Sequence, residues 1–305
     1  MRCLESVQQQ TLADFEVLVV DNSPSADLRT TIEAFNAGAE RPARYVAEPR
    51  LGLHNARHAG ARAASGSVLV FTDDDAVFDP DWLAAYARAF EAHPEMTAAG
   101  GRVLPAWDAP PPAWLRVLMQ ADPSLFPPLS LMDLSPEFRL SRDGIFFGVN
   151  MAIRRQALLE TGGFNPEIFG ERWLGDGETG LNRKLWARGD LIGYLPDAIV
   201  HHRVPPQRMT VGYLRRRQAN DGACDMYARF HARMPSLGGL ARAAAAVIRE
   251  SARDWAAEPL FRGRTDPRAL RVQMRAARAW ARLGYVVRLM VSPQLRTLVT
   301  RDNWL

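Results

Sequence analysis

"VLVFTDDDAVFDPDWL", residues 68–83, decides how the chain is read. An apolar run stops on three consecutive aspartates, Asp73, Asp74 and Asp75, and a helical pattern follows. Like charges this close raise one another's pKa and cost stability unless a positive group sits among them. Hard divalent cations take carboxylate oxygens, so the triplet points to a bound divalent cation. After it, Asp79 is placed to cap a helix with Pro80 at the first helical position and Leu83, Tyr86 and Phe90 facing inward.

Upstream, "MRCLESVQQQTLADF" has helical spacing in Leu4, Val7 and Leu12, and "EVLVVDN" is a β-branched run that stops at Asp21 and Asn22. A helix with Leu28, Ile32 and Phe35 on one face follows, then the strand "ARYVAEP", the alanine-rich helix "GLHNARHAGARAASG" and the buried strand "SVLVFTD". Strands too apolar to alternate, separated by helices, predict an α/β fold with a mostly parallel sheet covered on both faces. Ligands of such sheets sit beyond the carboxyl ends of the strands, where two of these runs end in carboxylates. Residues 104–143, rich in Pro and Trp, read as an ordered surface insertion of the kind that lines a groove. Strand and helix return in "IFFGVNMAIRRQALLETGGF", "GDGETGLNRKLWARG" reads as a carboxylate-bearing helix start, and "LIGYLPDAIVHH" is a late strand.

The chain of 305 residues, 47% hydrophobic, can bury a sizeable core as one large domain with a helical extension. The boundary falls near residue 210, since an arginine-rich, amphipathic helical pattern fills 211–305. In that region Leu270, Met274, Ala277 and Trp280 have the spacing of a buried face. Residues 201–305 carry 20 Arg against 7 acidic side chains, while residues 1–200 hold 18 basic and 27 acidic groups. The acidic half argues against a nucleic-acid partner. The basic half fits solvated helix faces or peripheral contact with an anionic membrane. Cys3 and Cys224, far apart, make no disulfide framework and read as thiols of a reducing compartment. No apolar run reaches the roughly 18 residues of a membrane span. "MRCLESVQQQ" lacks the apolar middle of a leader, so the expected location is cytoplasmic, with the inner membrane face as the second expectation.

The order "EVLVVDNSPS", "GLHNARHAGARAASG", "FTDDDAVFDPDWL", "GVNMAIRRQALLETGGFN", "GDGETGLNRKL", "DAIVHHRVPP" resembles the family 2 glycosyltransferases over roughly residues 3–217. The resemblance implies the GT-A fold and inverting sugar transfer from a nucleotide diphosphate sugar, a UDP-sugar first among the donors, to a hydroxyl of a carbohydrate, lipid-linked or small-molecule acceptor. It implies nucleotide-sugar binding in about residues 1–100 and acceptor binding and catalysis in about 101–210. The resemblance makes the cation Mg²⁺ or Mn²⁺ and Asp75 its first ligand, with Asp73 beside the ribose or the metal, Asp74 next to them, and His202, with His201 as its neighbour alternative, beside metal or diphosphate. Asp21, with Asn22, matches the position that takes the nucleotide base, and Arg57 the basic residue near the diphosphate. Alignment on Leu181 puts Glu178 at the general base and Gly177 where the family usually has Glu, leaving Asp176 as the other candidate base.

The family opens with a strand of the type "VSVVIPTYNR", whereas this sequence starts at the helix after it. A sheet without that strand would leave both neighbours with unpaired edges, and a shortened amino terminus is the expectation. A non-catalytic nucleotide-sugar or carbohydrate-binding protein on the same fold is the alternative function. A nucleotidyltransferase would also pair a parallel sheet with an Asp pair, but no glycine-rich phosphate loop is present.

Overall fold

The computed structural model describes residues 2–23, 27–169 and 172–305. Helix α1 (Arg2–Gln8), strand β1 (Val17–Asp21), α2 (Leu28–Asn36), β2 (Ala43–Ala47), α3 (Leu53–Ala63) and β3 (Val68–Phe71) follow in the expected alternation. Then come β4 (Ala76–Phe78), α4 (Trp82–Ala92), β5 (Met96–Trp107) and α5 (Ala113–Met119). Short strands β6 (Leu125–Phe126), β7 (Leu131–Met132) and β8 (Arg139–Ser141) lead to β9 (Met151–Arg154) and α6 (Arg155–Glu160). After the hairpin β10 (Ile168–Phe169) and β11 (Arg172–Trp173), helix α7 (Gly177–Arg188) and the long β12 (Leu191–Val204) complete the sheet region. Helices α8 (Val211–His231), α9 (Leu237–Phe261), α10 (Pro267–Val291) and α11 (Pro293–Val299) form the rest.

The sheet is mixed rather than mostly parallel. Pairs β1–β2 and β5–β12 are parallel, as expected, but β9 inserts antiparallel between β3 and β5, and β4 and β8 pair antiparallel with β12. These antiparallel partners are far apart in the chain, so their direction is set by the path of long connecting segments, whereas the parallel pairs follow helical crossovers. The main order is β3-β9-β5-β12-β4, and β1-β2 is a separate sheet. Among the described residues β1 ladders only with β2, and β3 only with β9. Helix α3 bridges the break, with Gly60 against the Val20 side chain in β1 and Ala61 buried with Leu69 of β3.

Helix α4 begins at Trp82, with Asp81 rather than Asp79 at its boundary. Its start is fixed by the Trp82 indole, which stacks on Phe78 at 4.1 Å and donates from Nε1 to Asn150 Oδ1 at 2.8 Å. Asp79 instead meets His201 Nε2 at 2.9 Å. Leu83, Tyr86 and Phe90 are buried as predicted. Segment 104–143 is more than a surface loop: Leu115, Leu129, Leu131 and Met132 belong to the main core.

Helices α8 and α10 close a further core around Leu174, Tyr227, Phe230, Tyr285 and Leu289. Trp280 lies outside it, 58% exposed and stacked on Trp255 at 4.3 Å, because the buried face of α10 runs through Leu270, Gln273, Ala276 and Ala279. These helices are fastened to the sheet region: the Tyr285 hydroxyl donates to Leu174 O at 2.5 Å and the Trp304 amide to Gly162 O at 3.0 Å. Among the described residues, no helix is long and apolar enough to cross a membrane.

Asn150, fully buried, locks the sheet over α4. Its Oδ1 accepts from Trp82 Nε1 and the Tyr86 hydroxyl, both at 2.8 Å, and its Nδ2 donates to Arg102 O at 2.9 Å and Ala198 O at 2.8 Å. Replacing it strands up to four buried groups, each worth about 1–3 kcal/mol when left unpaired. Asn150→Ala is expected to lower unfolding free energy in urea by at least about 3 kcal/mol, a larger loss than Asn55→Ala on the exposed start of α3.

Candidate active site

Strand β3 ends where its apolar residues run out, and the loop that follows carries the aspartates to the mouth of the sheet. Helix α3 presents Arg57 to that loop from one side, and the start of α7 presents Glu178 from another. The Arg57 guanidinium, 5% exposed, donates from Nη1 to Glu178 Oε1 at 2.6 Å and from Nη2 to Asp73 Oδ1 at 3.1 Å. It also lies over the Phe164 ring at 5.6 Å. A buried cation is tolerable only with such partners. Burial alone would push the Glu178 carboxyl up, but Arg57 outweighs it and holds the group low and ionised. Burial pushes Asp73 upward, with Arg57 partly offsetting it and the neighbouring carboxylates Glu178 and Asp75 adding to the rise. Gly148 makes this approach feasible, because a Cβ there would run into both the Arg57 guanidinium and the Glu178 carboxylate.

The second half of the triplet faces β12. Alternation along that strand turns His202 inward and His201 toward Asp79. His202 is 4% exposed, and its Nδ1 lies 2.9 Å from Leu129 O. A carbonyl only accepts, so Nδ1 carries the hydrogen, and Nε2 of the neutral ring presents a lone pair. That lone pair accepts from Arg208 Nη1 at 2.9 Å, while Arg208 Nη2 donates to Asp75 Oδ2 at 2.8 Å; Asp75 Oδ1 is 3.4 Å from the same Nε2. Burial would raise the Asp75 carboxyl, but the paired Arg208 guanidinium favours its ionised form and the group lies below its ordinary range. A carboxylate and an imidazole lone pair with its tautomer fixed from behind are ligand types that fit a divalent cation, and the Arg208 guanidinium bridging the two is the stand-in positive charge.

The other expected residues are placed less uniformly. Asp21, at the tip of β1, accepts from Ser23 N at 2.9 Å and from the Tyr45 hydroxyl at 2.7 Å; these two bonds, the first above all, lower its pKa. Asn22 is a loop staple: its Nδ2 donates to Glu48 O and Arg50 O, and its Oδ1 accepts from Gly52 N. Asp74 is exposed. Asp176 is buried away from the Arg57 cluster, with Oδ1 taken by Asn165 Nδ2 at 2.8 Å and Oδ2 by Arg183 Nη1 at 2.6 Å.

Sequence reading missed Glu167, His54 and Arg208. Glu167 sits beside Glu178, and burial together with the Glu178 charge lifts its carboxyl to about 8. Gly177, at φ +50°, is where the family pattern has Glu, and a Cβ there would meet the Glu167 side chain at 2.7 Å and His54 Cε1 at 2.8 Å. Glu167 thus brings a carboxyl from the "FNPE" turn into the space next to that position. The unusual glycine was the available signal. His54 is buried, and burial pushes its imidazole down to about 3, so it is neutral. Arg208, six residues beyond His202 in "HHRVPPQR", carried only its basic charge as a hint.

Residues 1–161 match the family described as glycosyl transferase family 2. The chain is 24% identical over 218 residues to a glucosyl-dolichyl phosphate glucuronosyltransferase of Haloferax volcanii, covering 69% of this chain and 66% of that protein. It is 25% identical over 224 residues to the succinoglycan biosynthesis protein ExoM of Rhizobium meliloti, covering 73% and 67%. A putative glycosyltransferase EpsH of Bacillus subtilis is 32% identical over 86 residues, 25% of its own length. The chain therefore spans about two thirds of two of these relatives and a quarter of the third. The mannosyltransferase PcManGT from Pyrobaculum calidifontis, solved with GDP-Man and Mn²⁺, aligns with a TM-score of 0.52 at 21% identity, over 97% of this chain and 78% of that one. That is a likeness of fold: a sheet with covering helices and further helices at the carboxyl end, the GT-A architecture. With the match running over more than half of its residues, the chain belongs to glycosyl transferase family 2.

Proposed function

We propose that the protein is a metal-dependent inverting glycosyltransferase that moves a sugar from a nucleotide diphosphate sugar, UDP-linked in the first instance, to a hydroxyl acceptor. The observation that carries this reading is the single guanidinium of Arg57 joining Asp73, at the donor side, to Glu178, at the base position. The Mn²⁺ and nucleotide sugar bound by the Pyrobaculum mannosyltransferase support the same reading.

Asp75 and His202 Nε2 would hold Mg²⁺ or Mn²⁺, with Asp73 adjoining. Such a cation offsets the negative charge that grows on a departing diphosphate. Asp21 orients the nucleotide base, and residues 1–100 supply the donor side. Asn22 acts indirectly, by fixing the loop from Glu48 to Gly52. Glu178, kept ionised by Arg57, accepts the acceptor's hydroxyl proton as that oxygen bonds to the anomeric carbon and the bond to the diphosphate breaks on the opposite face. Asp176, with both oxygens engaged elsewhere, serves the fold. Arg208 must leave Asp75 and His202 before a cation can join them, which frees its guanidinium for the diphosphate.

The acceptor is carbohydrate, lipid-linked or a small molecule; the dolichyl-phosphate substrate in the name of the Haloferax relative favours the lipid-linked class. Trp280, Val287 and Val291, all exposed, share one face of α10 in an arginine-rich region. We assign this face to peripheral contact with the inner membrane surface of the cytoplasmic compartment. A second reading, a non-catalytic nucleotide-sugar binder, is favoured by the break between β1 and β3 in the sheet.

Release of nucleoside diphosphate from UDP-sugars with Mn²⁺ is the direct assay. Glu178→Gln is expected to lower turnover by about 10²-fold or more while donor binding persists, and Asp176→Asn by far less. Equal losses contradict Glu178 as the base, and binding without turnover in the unmodified protein favours the second reading. Arg208→Ala is expected to tighten Mn²⁺ binding to the donor-free protein, measured by calorimetry, since the competing guanidinium is gone; unchanged or weaker binding contradicts the proposed ligand pair. In liposome flotation, anionic vesicles should carry the protein and Trp280→Glu with Val291→Glu should release it.

A further inference from the structure

His54, Glu167 and Glu178 converge at the back of the proposed site. One ligand atom from each lies within 4.8 Å of the other two. His54 is 3% exposed, yet neither Nδ1 nor Nε2 has a hydrogen-bond partner. A buried imidazole normally satisfies at least one of its nitrogens, and leaving both bare costs stability. A small cavity of about 40 Å³ opens against His54 and Glu167, between Gly52–Asn55 and Pro166–Ile168. One water or one ion needs roughly 10–15 Å³, so there is room.

The ligand set favours an ion over a water: two carboxyl groups converge with an imidazole whose nitrogens both lack a hydrogen-bond partner. One imidazole with two carboxylates is a nitrogen and oxygen set suited to Zn²⁺ and its first-row neighbours rather than to Mg²⁺, which prefers oxygen ligands and retained water. Gly177 lets Glu167 and His54 approach this closely, since a Cβ there would press on both.

We propose that His54, Glu167 and Glu178 form a second cation site, selective for a first-row transition metal such as Zn²⁺ and separate from Asp75 and His202. An ion there engages the Glu178 carboxylate, so it opposes deprotonation of the acceptor and acts as an inhibitor; that consequence rests on the proposed function, whereas the binding does not.

The test uses the full chain carrying Asp75→Asn, which disables the other site, and titrates Zn²⁺ against a chromophoric chelator. One equivalent should bind, and adding either His54→Ala or Glu167→Gln should weaken it by at least about tenfold, the loss that removal of even an outer-shell partner brings. Zn²⁺ should also raise the melting temperature of the Asp75→Asn protein and not that of the double variants. Melting of each variant without metal reports whether it folds, and two independent substitutions guard against a misfolded one. Absence of Zn²⁺ binding to the Asp75→Asn protein, or equal affinity in the double variants, overturns the proposal. Mn²⁺-dependent nucleotide binding by the unmodified protein reads the proposed function independently of this result.

Discussion

The site depends on one buried guanidinium. Arg57 is brought in by α3, and its two ion pairs tie the end of β3 to the start of α7, elements that no backbone ladder connects. Removing one partner of a buried pair costs about 3–5 kcal/mol, because the other charge is left unpaired in a poor solvent. The surroundings conform to this requirement: Gly148 leaves the space, Phe164 offers its ring face, and the carboxylates converge.

Around that point the charges are balanced before any ligand arrives. Arg57 serves Asp73 and Glu178, and Arg208 serves Asp75 and His202. Under the proposed function, binding an anionic diphosphate with a cation would be an exchange of counter-charges rather than the filling of a bare acidic hole. Preformed dipoles and charges of this kind need little rearrangement as charge develops on a leaving group. The two arginines differ in exposure. The Arg57 side chain is 5% exposed, whereas the Arg208 side chain is 30% exposed on a short turn after β12.

Much of this was legible in the residues. The alternation of apolar runs and amphipathic helices placed α1 to β3 correctly, and the aspartates do lie at a strand end where β12 brings a histidine. What could not be read was set by distant packing. The antiparallel insertion of β9 depends on which edge is free, a property of the assembled sheet. The start of α4 was moved by Trp82 seeking Asn150, a partner far along the chain. Alignment on Leu181 put Glu178 at the base position ahead of Asp176, while the bonds from Asn165 and Arg183 that engage Asp176 come from packing that no spacing shows. Trp280 fitted a helical stripe but fell on the outer side of α10, where Trp255 and solvent share it.

The central claim is that Asp75 and His202 Nε2 together bind a divalent ion that also touches a nucleoside diphosphate. Electron–nuclear double resonance on Mn²⁺ bound with UDP measures those contacts at the metal. The account predicts coupling to ³¹P and to one imidazole ¹⁴N, with the nitrogen signal lost in His202→Gln and retained in His54→Ala. A spectrum with phosphorus coupling and no histidine nitrogen, or one whose nitrogen survives in His202→Gln, contradicts it.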